Sequence, residues 1–408
     1  MKVIFCSSIY NMKDYGEIAR RSKVPASLAD HNLNSNVILG IEEALNTSIN
    51  LVNNVPIPNY PKFDKILFKK QLWKHSEDAK DVNCGFINLP VIKHISRAWT
   101  TFCELKGQIQ DAKDTPVIVV AYDLHLGISL AIRLAKMIFP QIKTCAFLPD
   151  IPTAVVAASN AGEITTAGKL RAAIKESFIR QFDSYVFITE HMSKVPVVAR
   201  KPYAVVEGIY NNHQPPLAEK TTEKNVIFYS GQLNPAYGME NLLEAFQQIY
   251  QDHKDYELWI CGGGGLTERI TQLSQTCSGI KYFGYVSGER VRELQAEASV
   301  LVNPRQNIGD LTKYSFPSKT MEYLASGRPV VGYQLDGIPE EYDAYIQYVP
   351  DNSVSALRDK LIEVCELTQD QRNALGQNAR KFILERKNPK TMCQRIVDLW
   401  YDMLSSGE

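Results

Sequence analysis

The sequence has no long apolar run, no excess of either charge and no paired cysteines. No window approaches the roughly 20 apolar residues of a membrane-spanning helix, and the apolar run at the N-terminus is too short for a signal peptide. Lys and Arg together number 45, as do Asp and Glu, so no overall field attracts the chain to nucleic acid. We therefore expect a cytoplasmic protein that is soluble or, at most, peripheral on the inner face of the cell membrane.

The eight cysteines form no CxxC pair and no His-containing metal spacing. Cys6, Cys145 and Cys261 lie in apolar runs that are typical of buried strands. We interpret them as reduced core residues of a cytosolic protein.

Short β-branched runs alternate with segments of helical periodicity almost from end to end. The first half contains the runs KVIFCSS, NVILG, CGFINL, PVIVVAY, KTCAFLP and SYVFIT, and the second half resumes with NVIFYSG and YELWICGGGG. This alternation is typical of βαβ units and of parallel sheets that are buried on both faces. In the second half, helices are predicted to begin at about Met239, Leu266 and Gly288.

The chain is also longer than the roughly 250 to 300 residues at which a single core usually stops growing. A polar stretch with two prolines at residues 210–222 is the best candidate for a linker. The sequence thus predicts an α/β fold of two doubly wound, Rossmann-like domains, 1–209 and 223–385. A C-terminal helix at 386–408 has no place in either sheet and can cross back to the N-terminal domain.

Domains of this kind bind ligands at the carboxyl ends of their strands. If these two edges face each other across a cleft, each domain can hold one substrate. In the second domain, Gly231 ends a strand and Gly238 opens a helix, so backbone N–H groups could meet an anion. Gly263 and Gly264 repeat the arrangement after the next strand, although a flexible βα turn explains either loop alone.

The stretch YSFPSKTMEYLASGRPVV places a single acid, Glu322, near the start of a helix. Ser318 can cap that helix, and Lys319 lies in its first turn. Glu322 either favours the helix dipole or accepts hydrogen bonds from the paired hydroxyls of a ribose. Arg305, Lys313 and Lys319 flank it and could neutralise a diphosphate.

In the first domain, polar residues again follow the predicted strands. His125 stands in AYDLHLG, Asp150 in LPDIP and Glu190 in ITEHM. All three are candidates for contact with the substrate, although capping or packing is the commoner role of a lone histidine such as His125. Residues 62–75 are predicted to form a basic amphipathic helix, which either docks on an anionic membrane or packs on its own domain.

On the basis of this domain pattern and these residues, the whole chain resembles the GT-B glycosyltransferases. Its second half resembles the retaining family 4, whose signature is two glutamates eight positions apart with Phe-Gly between them, followed by G-x-P-V-V. Tyr314 stands at the first glutamate, Phe316 and Pro317 at Phe-Gly, and Glu322 at the second glutamate. The resemblance implies that Glu322 binds the donor ribose, and that the backbone around Phe316 and Pro317 meets the sugar or diphosphate.

The chain departs from the family where two cations normally hold the diphosphate, because Gln232 replaces the Arg and Tyr237 the Lys. Their absence removes charge where the leaving group must be stabilised. We expect Arg305, together with Lys313 or Lys319, to take their place. Asp150 aligns with the loop in which many family members keep a histidine near the sugar.

The resemblance implies a hexosyltransferase that moves sugar from a UDP- or GDP-sugar to a glycan or polyprenyl-linked acceptor, with retention and without metal or cofactor. The nucleotide would occupy the second domain and the acceptor the first, in assembly of bacterial cell-surface polysaccharide. Two alternatives remain open. One is a non-catalytic binding subunit of an active partner, and the other is a sugar-nucleotide epimerase of the same fold.

Overall fold

The computed structural model describes residues 1–24, 28–150, 176–198, 200–211, 217, 224–309 and 312–405. The chain divides into two compact units. Unit 1 comprises Met1–Ile209 together with Pro389–Glu408, and unit 2 comprises Tyr210–Asn388. Most of the segment predicted to be the linker, 210–222, lies outside the described residues.

Among the described residues, the helices of at least eight residues are, in chain order, α1 (Met12–Arg21), α2 (Leu28–Leu45), α3 (Ile92–Gln110), α4 (Leu126–Ile138), α5 (Met239–Asp252), α6 (Thr267–Thr276), α7 (Gly288–Ala296), α8 (Ser318–Ala325), α9 (Val354–Glu366), α10 (Gln369–Arg386) and α11 (Pro389–Ser405). The predicted starts of α5 and α7 are confirmed, and α6 begins one residue later than predicted. Within the described ranges, no helix is long and apolar enough to cross a membrane.

Unit 1 is built on an eight-stranded sheet. The strands of the unit are β1 (Lys2–Ser7), β2 (Asn50–Asn53), β3 (Leu67–Phe68), β4 (Gln71–Trp73), β5 (Asp81–Asn83), β6 (Phe86–Ile87), β7 (Val117–Tyr122), β8 (Lys143–Leu148), β9 (Ser184–Phe187) and β10 (Tyr203–Val205). The sheet order is β10-β9-β8-β7-β1-β2-β5-β4, parallel except for the edge strand β4. Strands β3 and β6 form a separate antiparallel pair.

Unit 2 contains a six-stranded sheet in which every strand pair is parallel. Its strands are β11 (Asn225–Gln232), β12 (Tyr256–Gly263), β13 (Ile280–Gly284), β14 (Val300–Asn303), β15 (Val330–Gly332) and β16 (Gln347–Tyr348). The order β13-β12-β11-β14-β15-β16 is that of a Rossmann fold. Strands β12 and β13 extend the sheet on one side of β11, and the chain then crosses back so that β14 pairs with the other side of β11. This reversal of strand order opens a crevice at the carboxyl ends of β11 and β14.

The α/β fold class with parallel sheets is confirmed, and so is the interpretation of the cysteines as unpaired. All eight are free, and Cys6, Cys145 and Cys261 are buried in their strands. The predicted strand NVILG is wrong, because residues 36–40 lie inside α2. That helix packs against α11 so closely that a Cβ on Gly40 would lie 2.4 Å from the Pro389 carbonyl oxygen. Helix packing thus overrides the β-branched run.

The predicted amphipathic helix at 62–75 is also wrong. The chain there forms β3 and β4 instead, and the apolar side chains divide between two faces. Phe63 is buried in a small cluster with Ile57 and Phe86, whereas Leu67 and Leu72 are exposed. Pairing with β6 and β5 satisfies the backbone groups that a helix would have paired internally.

Candidate functional site

A cavity of about 460 Å³ lies within unit 2 at the carboxyl ends of β11 and β14. The ends of β11 and β12, the loop after β13 and the segment that enters α8 form its walls. The cavity is lined by seven of the predicted donor-binding residues: Gly231, Gln232, Arg305, Phe316, Pro317, Ser318 and Lys319. With Asn303 and Arg305 at the end of β14, the structure brings together residues from five separate stretches of the chain.

Two glycines allow the backbone to form this site. Gly238 precedes α5 with φ 74°, and a Cβ there would lie 1.8 Å from the Pro304 carbonyl oxygen. Gly262 has φ 126°, and its Cβ would lie 1.9 Å from the Gly231 carbonyl oxygen. Only glycine fits both the positive φ and the close approach. The α5 N-terminus thus sits directly against the backbone that carries Arg305.

Tyr323 fixes α8 to the central strand β11. Its hydroxyl accepts a hydrogen bond from the Ser230 N–H at 2.8 Å and donates to the Ser230 carbonyl at 3.1 Å. Burial raises the pKa of Tyr323, so the hydroxyl stays protonated and can donate. This link holds the first turn of α8, including Lys319, at the mouth of the strands.

The charged side chains that line the cavity are both cations. Arg305 and Lys319 line it, and none of the described lining residues is Asp or Glu. The Arg305 guanidinium donates to Ser315 Oγ at 3.2 Å and lies 5.7 Å from the centre of the Tyr237 ring. Gln232 and Tyr237 both line the cavity, at the positions where the glycosyltransferase family that the sequence resembles carries cations. Arg305 and Lys319 are thus placed where an anion could be held.

Glu322 does not line this cavity. Its carboxylate is paired with Lys319 Nζ at 2.7 Å, and both side chains are roughly two-fifths exposed. The helix N-cap is Pro317 rather than Ser318, because Ser318 is already the first helical residue, and no side chain caps the helix. The predicted capping role of Ser318 is therefore wrong, although the residue does line the cavity.

Three other predicted residues lie outside the lining: Gly263, Gly264 and Tyr314. The Gly264 N–H already donates to Thr267 Oγ1 at 3.0 Å, so the second glycine loop is partly engaged in its own turn. Gly262 lines the cavity in its place.

Sequence reasoning missed Tyr323, Gly262 and Tyr285 as lining residues. Tyr285 follows β13 and is 87% exposed, which is unusual for an aromatic side chain. Its position directly after a strand end was the available signal, because all strand ends of a parallel sheet meet at one edge.

The candidates of unit 1 occupy the carboxyl ends of β7 and β8. Asp123 follows β7 with φ 61°, and its Oδ2 lies 3.7 Å from Nε2 of the half-exposed His125. His125 precedes α4 without making a side-chain cap. Desolvation lowers the pKa of His125, with Arg97 and Lys93 acting in the same sense and Asp123 opposing them.

Asp150, which follows β8, is electrostatically coupled to Asp123. Desolvation, and then the nearby Asp123 and Asp30 carboxylates, raise the pKa of Asp150. Glu190 is engaged elsewhere, because its carboxylate accepts a hydrogen bond from the Tyr203 hydroxyl at 2.5 Å. In the described part of the chain, no group of three or more His, Cys, Asp or Glu side chains is placed to hold a metal ion.

Comparison with known proteins adds a family match for the unit that holds the cavity. Residues 212–382 match the family model described as "Glycosyl transferases group 1". A provisionally named colanic acid biosynthesis glycosyltransferase of Escherichia coli, WcaL, is 25% identical over 178 residues, which is 42% of this chain and 44% of WcaL. The match spans less than half the length of the curated relatives.

Two solved structures align over the whole chain. Sucrose-phosphate synthase from Thermosynechococcus elongatus aligns with a TM-score of 0.60 and 14% identity over 100% of both chains. The Anabaena protein HepE, solved in complex with UDP, aligns with a TM-score of 0.59 and 14% identity over 100% of both chains. The chain has the GT-B fold. In GT-B terms, unit 1 is the N-terminal and unit 2 the C-terminal Rossmann-like domain, and α11 belongs to the N-terminal one.

Proposed function

We propose that the protein is a glycosyltransferase that moves a sugar from a nucleotide diphosphate sugar to a hydroxyl acceptor. The observation that carries this proposal is the cavity at the switch point of unit 2, which is lined by two cations and by no described carboxylate. An acid-free cavity with a guanidinium and an ammonium group suits a diphosphate. The family match of residues 212–382 covers this same unit.

In the proposed complex, Arg305 and Lys319 bind the diphosphate. They take over the role of the family's Arg and Lys, at whose positions this chain has Gln232 and Tyr237. The α5 N-terminus adds its partial positive charge, because Gly238 brings it against the Arg305 loop. Glu322 is proposed to bind the ribose hydroxyls. Its carboxylate is paired with Lys319, so binding of ribose must weaken that ion pair.

The reaction proposed is transfer with retention. The bond from the anomeric carbon to the diphosphate oxygen breaks, and its electron pair leaves with the diphosphate. The acceptor oxygen bonds to the same face of that carbon, and its proton passes to the departing diphosphate. Neither a protein nucleophile nor a metal ion is required, because the cations of the cavity stabilise the leaving charge.

The acceptor is proposed to meet unit 1 at Asp123, His125 and Asp150, at the carboxyl edge of its sheet. The raised pKa of Asp150 suits a carboxyl group that donates a hydrogen bond to a sugar hydroxyl or accepts one from it. A glycan or polyprenyl-linked glycan at the inner face of a bacterial membrane is the proposed acceptor. The name of the WcaL relative, which refers to a cell-surface polysaccharide, supports this choice.

A non-catalytic binding subunit is the second candidate. It is favoured by Gln232 and Tyr237 standing where cations are expected, and by Glu322 lying outside the cavity lining. A sugar-nucleotide epimerase remains the third possibility.

One experiment separates the three. The protein is incubated with common UDP- and GDP-sugars, with and without a panel of hydroxyl acceptors, and the products are identified by NMR. A new glycoside with the donor's anomeric configuration supports the proposal. A new sugar nucleotide formed without acceptor indicates an epimerase, and nucleotide binding without any product indicates a binding subunit.

A further inference from the structure

Unit 1 carries a cluster of exposed apolar side chains on one side of α3. Val91, Ile95 and Trp99 are 69%, 63% and 62% exposed, and Ile92 lies between them. Because Ile92, Ile95 and Trp99 are spaced by three and four residues in α3, they form one stripe along the helix, and Val91 lies at its N-terminal end. Single exposed apolar residues are ordinary, but a contiguous set of them marks a surface that binds a protein or a membrane.

The stripe continues onto the neighbouring strand pair. Leu67 and Ile87 are cross-strand partners in the β3–β6 pair, so their side chains lie on the same face. That face points away from Phe68 and Phe86, which stack on each other at 4.5 Å on the inner side. The Ile87 N–H donates to Ser96 Oγ at 3.1 Å, which places the pair beside α3.

Backbone strain at Val91 supports a function for this surface. Val91 has φ 66° and ψ −55°, a region that a β-branched residue rarely adopts. The exposed Val91 side chain gains no described burial in return. Strained backbone of this kind clusters at sites where function requires it.

The two segments that carry the cluster have basic but no acidic side chains, and of the flanking acids Asp64 and Glu104 are each paired with a cation. Sequence positions 65–76 and 82–103 contain no Asp or Glu. Lys69 and Lys74 are exposed in the first of these segments, at the ends of β3 and β4, whereas Lys65 lies over the Phe68 ring on the other side of the β3–β6 pair. Lys70 pairs with Glu104 at 2.6 Å, just beyond the end of the second segment.

We propose that Leu67, Ile87, Val91, Ile92, Ile95 and Trp99, which we name the α3 face, dock unit 1 on an anionic lipid bilayer. A tryptophan among aliphatic residues suits the depth of the lipid headgroups, and lysines beside it suit anionic lipid. An apolar stripe whose own segments carry basic but no acidic side chains matches a bilayer better than a protein partner, whose surface mixes both charges. This surface is independent of the donor cavity, since all of its residues belong to unit 1.

The test is sedimentation of the full chain with vesicles of phosphatidylcholine alone or mixed with phosphatidylglycerol, at low and high salt. The wild type should bind only the mixed vesicles, and more strongly at low salt. Ile95→Gln combined with Trp99→Gln should lower the binding at least about tenfold, because the apolar contact is lost. Lys69→Gln should lower it about fivefold.

Met137→Gln is the matched control, because Met137 is 74% exposed in the last turn of α4 and lies outside the α3 face. It should bind as the wild type does, and all variants should keep their melting temperature. Trp99 fluorescence should shift to shorter wavelength with mixed vesicles, a shift that Trp99→Phe removes.

Three results would overturn the proposal. The first is no binding to mixed vesicles at low salt. The second is binding that the double variant leaves unchanged. The third is concentration-dependent self-association that the double variant abolishes without any vesicle binding, which would assign the face to a second copy of the chain.

Discussion

The hydroxyl of Tyr323 bridges the N–H and the carbonyl of Ser230, at 2.8 and 3.1 Å, and so joins α8 to the central strand of unit 2. Tyr323→Phe removes both hydrogen bonds and leaves buried backbone groups unsatisfied. We expect it to lower the free energy of unfolding by about 1–3 kcal/mol. Thermal unfolding measures this, and Tyr401→Phe, at a half-exposed position of α11, should have no effect. Equal stability of both variants would contradict this role of Tyr323.

Gly238 controls the close approach of α5 to the Arg305 loop. Gly238→Ala places a Cβ against the Pro304 carbonyl and strains a backbone with φ 74°. We expect a loss of about 1–3 kcal/mol in stability and weaker nucleotide binding, because the loop must move. Gly288→Ala is the control, since its added Cβ meets nothing within 4 Å. If both variants behave alike, the close approach does not shape the site.

Glu322 has two possible partners in a complex, Lys319 and a ribose. If it binds ribose, Glu322→Ala should weaken binding of a nucleoside diphosphate by about tenfold to a hundredfold, because charge-assisted hydrogen bonds are lost. If it only restrains Lys319, the same variant should bind inorganic pyrophosphate more tightly and lose little affinity for the nucleotide. Titration with both ligands distinguishes the two roles.

His75 should make the stability of unit 1 depend on pH. Its Nδ1 lies 2.8 Å from Asp81 and its Nε2 3.0 Å from Glu42. Burial opposes the charge, but hydrogen bonds to both carboxylates and their attraction outweigh it and raise the pKa of His75 to about 9. The unfolded pKa is about 6.5. The stabilisation is therefore complete below about pH 6.5 and is lost as the pH rises through about 9.

Thermal unfolding of His75→Gln measures this contribution. The variant should be less stable than the wild type at pH 6, and the difference should shrink by pH 10. His191→Gln, at a partly exposed position of the same unit, should lack this convergence. A constant difference between wild type and His75→Gln across this range would contradict the assignment.

The alternation of short β-branched runs with helical segments was enough to predict both parallel sheets, since that pattern reflects burial of each strand on two faces. It failed at residues 36–40, where a β-branched run lies in α2 because α11, some 350 positions further along the chain, packs against it. It also failed at residues 62–75, where apolar spacing alone did not distinguish a helix from short paired strands.

Sequence patterns selected residues of this cavity where they stand at the end of a strand or just after it, as with Gly231, Gln232 and Arg305. Tyr323 was not predicted, because its role depends on a hydrogen bond to a residue 93 positions away. Glu322 shows the converse: the motif selected it, but its position in the second turn of α8 pairs it with Lys319. Local spacing identifies which residues reach an edge, whereas the three-dimensional packing decides which of them share a cavity.

The central claim is that Arg305 and Lys319 hold the diphosphate of a nucleotide donor. Calorimetric titration of the wild type, Arg305→Ala and the surface control Arg269→Ala with UDP and GDP tests it most directly. We predict selective binding of one nucleotide, weakened about tenfold or more in Arg305→Ala and unchanged in Arg269→Ala. Equal affinity of Arg305→Ala and the wild type, or no nucleotide binding by the folded wild type, would contradict the claim.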